Sequence, residues 1–304
     1  MQEVACHEVS SGSMSHALEA IRSRTFGRWH DMRYGYMSQE RLWDMYDELL
    51  DHAAARAAEN PGPDESMRAA LLTAAECSMG LLSAGCFPDG DQEITFSLID
   101  ESLSSETLVF KRLVKQAPTA ATWIGAFEAC VVSGLIRDRR QMVGPLLAED
   151  YAPAIRDGVP YSDLTSTSGP ADLAAMDALC GYLSRPPAHR PHEWPEVPLC
   201  KPNADERADA ARELDAAGPL TPDQRLLRVL LDDDRAAFEA ALVSRLVEYR
   251  ESRRPDASPR SLLPMGVLAL VTLAGHVHGW ELRVRSGYLP TTTAPGSGES
   301  EPSG

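Results

Sequence analysis

Positive charge is what this chain lacks most for its size. In 304 residues, 29 Lys and Arg stand against 45 Asp and Glu, giving a formal net charge of −16 and a pI near 4.9. A surface of that sign is repelled by phosphate backbones and anionic lipid and attracted to basic partners. Neither nucleic-acid binding nor membrane binding is expected; the plainest consequence of the charge is solubility. Paired cysteines are missing too. Cys6, Cys77, Cys86, Cys130, Cys180 and Cys200 contain no CxxC pair, which argues against a disulfide framework or a zinc site. Cys77, Cys86, Cys130 and Cys180 sit among Ala, Leu, Met and Val, where a thiol behaves as a small buried hydrophobe. No basic segment followed by an apolar one opens the chain, so no secretory signal is read. The most apolar run, Leu262 to Ala274, contains Pro264 and Gly266 and is short of the roughly 20 residues that span a bilayer. It is expected to be a buried core helix, and the protein to be cytoplasmic.

What is present is ordinary globular material. The chain is 43% apolar and 24% charged, long enough for one large domain or two medium ones with a substantial core. Apolar residues recur at the helical spacing of three and four through most of it. Met14, Leu18, Ile21, Phe26 and Trp29 form one such series, and a second follows Ser38, an N-cap candidate. A third follows Asp64 as far as Leu82, a fourth runs from Leu108 to Val114, and a strong fifth runs from Trp123 to Leu135. Leu173 to Leu183 and Leu226 to Tyr249 continue the pattern. The period drops to two at residues 93–98 and 280–285, which predicts short strands. The expected fold is therefore all-α, an antiparallel helical-hairpin or repeat-like bundle with one or two short strands. Acidic residues at Asp138 and at Asp232-Asp233-Asp234 each fall between two helical runs, where they suggest caps of tight αα-hairpins. Residues 1–12 carry no period and are expected to be flexible, and residues 13–290 to form a single helical domain. A proline-rich connector is expected at 185–202, and a disordered tail at 291–304.

Four groupings invite a chemical reading. His276 and His278, beside Trp280 and Glu281, share a face on a strand but point about 200° apart on a helix, and no third metal ligand stands at a recognisable spacing. His189, His192 and Glu193 lie in the proline-rich stretch, where a solvated loop is the simpler reading. Trp29, His30, Asp31, Tyr34 and Tyr36 place a histidine beside a carboxylate, but neighbours on a helix face apart; these aromatics serve as core or as an interface anchor. Asp232, Asp233 and Asp234 lack the spacing and glycine of a calcium loop and suit a helix cap. There is no glycine-rich phosphate loop, and residues 80–85 lack the strand–turn–helix setting of a nucleophile elbow. No catalytic set, metal or cofactor is expected.

Three stretches carry a resemblance to a known family. They are Thr122-Trp123-Ile124-Gly125-Ala126-Phe127-Glu128-Ala129-Cys130 with Leu135-Ile136-Arg137-Asp138; Leu231-Asp232-Asp233-Asp234-Arg235-Ala236-Ala237-Phe238 with Tyr249; and Leu268 to Ala274 followed by Ser286-Gly287-Tyr288-Leu289-Pro290. Together they resemble the immunity 49 family of polymorphic-toxin immunity proteins over residues 15–290. Residues 185–202 and 26–36 depart from the family pattern. The resemblance implies a helical protein that neutralises a cognate toxin by tight binding inside the producing cell. An acidic binder suits a basic, nucleic-acid-attacking toxin, and Asp138, Asp232, Asp233 and Asp234 are the contacts expected from charge, with Trp29, Tyr34 and Tyr36 as anchors. A second reading starts from the Ala, Arg, Gly and Pro content, which suggests an actinobacterial source. There a member of such a family could serve natural-product biosynthesis, as an enzyme or as the accessory subunit of one. That reading needs His30 and the other residues near Trp29 to line one pocket with His276, His278 and Trp280.

Overall fold

The computed structural model describes residues 2–60, 62, 64–108, 110, 114, 116–159, 164–183, 199–254 and 256–290. In chain order, β1 (Gln2–Val4), α1 (Ser11–Leu18), α2 (Ile21–Tyr34), α3 (Gln39–Glu59) and α4 (Glu65–Cys86) come first. The hairpin of β2 (Glu93–Phe96) and β3 (Glu101–Ser104) follows, then α5 (Ala120–Ser133), α6 (Leu135–Asp138) and α7 (Arg140–Pro145). A π-helical turn (Leu146–Tyr151) leads into α8 (Ala152–Asp157) and α9 (Pro170–Cys180). The last third holds α10 (Ala204–Ala216), α11 (Pro222–Leu231), α12 (Arg235–Glu251), a 3-10 turn (Pro259–Leu262), α13 (Met265–His276) and β4 (Val284–Ser286). The fold is mostly α with two small sheets, as the periodicity predicts.

Polar caps set where the helices begin. The Ser38 hydroxyl accepts from Arg41 N at the head of α3, and the Asp64 carboxylate from Met67 N at the head of α4. Reciprocal capping boxes open α5 (Thr119 with Thr122), α10 (Asn203 with Glu206) and α11 (Thr221 with Gln224). Each satisfies amides that a helix start leaves without partners. Helix α5 is central: α4, α9 and α13 all pack on it, α3 covers α4, and α10, α11 and α12 extend the stack from α9. Trp123 is fully buried on α5, stacked on Phe127 with centroids 5.4 Å apart. Its indole N–H donates to Leu147 O at 2.9 Å, tying α5 to the π-helical turn. Helix α4 is long and apolar enough to cross a bilayer, but 78% of its most apolar window is buried inside this fold, the position of a core helix. Helix α13 is the buried helix expected from its apolar run, with Leu268 and Leu273 fully enclosed.

Several expectations need correction. The first 12 residues are not a frayed end throughout: Gln2, Glu3 and Val4 pair in parallel with Val284, Arg285 and Ser286. His7 secures the junction, its ring reaching Tyr288 Oη at 2.7 Å and Ser261 Oγ at 2.8 Å. The strand expected at 280–285 is accordingly shifted to Val284–Ser286, because its partner rather than its own alternation decides which residues pair. The first helical series is two helices. Glu19 is extended and Ala20 sits at φ +36°, and Arg24 caps the break by donating to His16 O and Ala17 O. The Asp232–Asp234 turn does form the expected αα-hairpin, with Asp233 at φ +59° and Asp234 capping α12. Asp138 caps nothing; it is the last residue of α6, and the turn there starts from Gly134 at φ +83°. Most of residues 185–202, all of 291–304 and much of Leu108 to Val114 lie outside the described residues, as do His189, His192 and Glu193.

Candidate functional site

The acidic turn and the histidine pair, read separately in the sequence, meet in space. Asp233, between α11 and α12, receives the Lys201 ammonium at 2.6 Å, the Arg207 guanidinium at 3.2 Å and His278 Nδ1 at 2.8 Å. Burial works against ionisation of Asp233, but hydrogen bonds from Lys201 and His278 and the charges of Lys201 and Arg207 outweigh it, so its carboxyl is held below the usual range. The His278 ring is wholly enclosed and lies against Trp280. Burial lowers its pKa despite the opposing pull of Asp233, so it is neutral at pH 7. An ionised carboxylate only accepts, so Nδ1 carries the proton and Nε2 accepts from the Tyr182 hydroxyl at 2.9 Å. This Tyr–His–Asp chain has the connectivity of a proton relay, but Tyr182 is fully buried and its partner ring enclosed, which is the placing of an internal brace for α9, α13 and the α11–α12 turn.

The brace makes a prediction. Asn tolerates a left-handed backbone as Asp does, so Asp233→Asn isolates the loss of charge. It is expected to lower stability at pH 7 by about 2–3 kcal/mol. Because the folded carboxyl is the stronger acid, the difference from wild type is fully present above the unfolded pKa and shrinks as pH falls through the folded one. Urea unfolding at several pH values checks this, and a difference that is the same at acid and neutral pH would refute it.

The remaining expected contacts are dispersed. Asp232 pairs with Arg228, Asp234 accepts from Ala236 N and Ala237 N, and Asp138 pairs with Arg68, all at exposed positions. Asp233 is engaged by Lys201, Arg207 and His278, with 24% of its side chain still exposed. His276 approaches Arg137 rather than the partners of His278, so the two histidines share no ligand. On α2, Trp29 is 7% exposed and donates through Nε1 to Ser102 O, so its ring is buried under its neighbours. Phe26 and Tyr34 rest on it, with centroids 5.2 and 6.2 Å away, and His30 lies beside both. Tyr34 is 70% exposed and Tyr36 59%, and Phe26 and Trp43 are also exposed. Met142 apart, the large hydrophobics exposed among the described residues therefore all fall between residues 26 and 43. Phe26, His30 and Tyr34 form an aromatic patch over Trp29, which is tied to β3 through Ser102 O, while Trp43 lies against Tyr46 on α3. Tyr182, Asp233 and His278 follow the ends of α9, α11 and α13. Among the described residues no hydrogen bond or ring contact joins the two groups, as the natural-product reading would need.

Nothing in the sequence pointed to a half-open pocket of about 200 Å³ between α5, α9, α11 and α13. Its walls are apolar, with Ile124, Leu179 and Leu270 among them, and Glu128, Asp172 and Asp223 supply its charge. Asp223 is held by Arg245 at 2.6 Å, and Asp172 accepts from Gln224 at 2.8 Å. Glu128 makes no hydrogen bond or ion pair among the described residues. It is half-buried by area, yet protein surrounds its carboxyl closely enough that burial, then the charge of Asp223, raises its pKa to about 8. Glu128 was visible in the family-like stretch. Its state was not, since that depends on α11 and α13, which lie about a hundred residues or more along the chain.

Its described residues thus make a mostly helical, strongly acidic protein in which the Asp233 charge brace, an exposed aromatic patch and the acidic Glu128 pocket stand out. Residues 59–293 match the family described as Immunity protein 49, and the chain belongs to that family. No curated protein and no solved structure matches the chain. The match opens at the last residue of α3, so it takes in the Asp233 brace and the Glu128 pocket and leaves the aromatic patch outside.

Proposed function

We propose that this protein is an immunity protein that silences a cognate protein toxin by forming a complex with it in the cytoplasm of the producing cell. The observation that carries the reading is the match of residues 59–293 to the Immunity protein 49 family. The surface supports it. Exposed rings held on a buried support lose little entropy on binding, and clustered aromatics at an exposed site are the usual anchors of protein interfaces. Tyr34 and Tyr36, with Phe26, are the anchor, and Trp29 stiffens Phe26 and Tyr34 from below. The net charge of −16 steers a basic partner toward the surface. Asp138, Asp232 and Asp234 contribute to that field and to the rim of the interface, each already tied to a neighbour.

The test is protection. Cells expressing the toxin encoded beside this protein's gene are expected to die alone and to survive when this chain is co-expressed. Death in both cases, with the chain folded and abundant, would end the reading.

A further inference from the structure

The pocket between α5, α9, α11 and α13 has a composition that neither the core nor an exposed interface requires. An acidic side chain without a partner is costly to desolvate, and here half-buried Glu128 stands beside a second carboxylate, Asp223, with a third, Asp172, in the same wall. Small residues keep the space open. At Gly125 an added Cβ would meet nothing within 4 Å. Gly266 lets the α13 backbone come so close that a Cβ there would lie 2.8 Å from Asp223 Oδ2 and 3.0 Å from Glu128 Oε1. The carboxylates therefore converge on the pocket. Yet among the described residues no three acidic, histidine or cysteine side chains come close enough together to hold a metal ion. Carboxylates spread around an apolar cavity suit a broader cation whose charge is distributed and whose stem is greasy.

We propose that this pocket is a receptor for a guanidinium or ammonium group on an aliphatic stem, supplied by an arginine or lysine side chain of the protein partner. The identity of the supplier rests on the toxin-binding reading above; the chemistry of the pocket does not. Ile124, Leu179 and Leu270 line the stem, and the cation sits between Glu128 and Asp172. Asp223 is already neutralised by Arg245 and acts mainly to position its neighbours. The guest restores the ionised form of Glu128, so binding below about pH 8 releases a proton. The charged and titratable groups around Glu128 are Asp223 on α11 with its Arg245 partner on α12, Asp172 on α9 and Tyr46 on α3. Tyr46 is held neutral through this range by its burial, the charge of Glu128 adding to the effect, so Glu128 dominates the pH response.

The experiment is a calorimetric titration of the full chain with n-butylguanidine, whose own charge does not change over the range used. Saturable one-to-one binding is expected, strengthening roughly tenfold per unit between about pH 6 and about pH 8 and levelling above. Glu128→Gln is expected to weaken it at least about tenfold at about pH 9. Gly125→Leu, which fills open space with an apolar side chain, is expected to abolish it and keeps the test valid should Glu128→Gln unfold. No saturable binding at about pH 9, or equal binding by wild type and both variants, overturns the receptor. The same variants are then titrated with the toxin, and both are expected to bind it more weakly. If they lose butylguanidine but hold the toxin as wild type does, the partner side chain is overturned as the source and the guest is a free amine or guanidine. If butylguanidine binds and the toxin does not, the receptor stands and the toxin-binding reading falls.

Discussion

Trp123→Ala is expected to cost about 3–5 kcal/mol, enough to leave a domain of ordinary stability, about 5–15 kcal/mol, near its threshold. The indole is fully buried where α5 meets the π-helical turn, stacked on Phe127 at 5.4 Å. Truncation opens a cavity in the helix on which α4, α9 and α13 all pack. The loss is compounded because Leu147 O forfeits its 2.9 Å indole donor and keeps only the Ala152 N–H, which adds about 0.5–1.5 kcal/mol. Trp123→Phe keeps most of the ring volume and loses the donor, so it is expected to fall between wild type and alanine. Urea midpoints measure the series. A loss of less than about 1 kcal/mol in the alanine variant would mean that α5 is not the centre of the core.

The second large effect concerns the partner. Tyr34→Ala combined with Tyr36→Ala is expected to weaken the toxin complex by about a hundredfold or more, at roughly 1.4 kcal/mol per tenfold. Both rings are exposed, so stability should change by no more than about 0.5 kcal/mol. Trp29→Ala makes the contrast: buried under the patch and bonded to Ser102 O, it is expected to lower stability as well as affinity. Charge reversal at Asp232 and Asp138 should act more gently, reducing the association rate and its salt dependence, because both side chains stand at an exposed rim. Unchanged affinity in the double tyrosine variant would place the interface elsewhere on the molecule.

Where one element's own pattern determined its structure, the sequence was readable. The three-and-four spacing from Trp123 to Leu135 gave α5, the Ser38 and Asp64 caps gave the starts of α3 and α4, and the apolar run near Leu268 gave the buried α13. Elements that depend on a distant partner were not readable. Strand β1 has three residues and no alternation to detect; Val284–Ser286, at the other end of the chain, makes it a strand. Helix α10 buries only Ala211 and Leu214, too few apolar positions to declare a period. The break at Ala20 was hidden because apolar spacing continues across it. The same division holds for the sites. Tyr34 and Tyr36 were recognisable as aromatics, but only packing against Ser102 separates the buried Trp29 from them. Asp233 and His278 looked like parts of two separate motifs 45 positions apart, and their 2.8 Å contact joins them. Glu128 looked like one more polar residue on an amphipathic helix until α9, α11 and α13 closed around it.

The most direct measurement is the dissociation constant between this protein and the proposed cognate toxin, taken by calorimetry at two salt concentrations. An immunity protein working through an aromatic anchor and an acidic surface should bind one-to-one, at about nanomolar strength or tighter, and more weakly at the higher salt. Absence of binding by the folded chain, or binding indifferent both to salt and to the loss of Tyr34 and Tyr36, would contradict it.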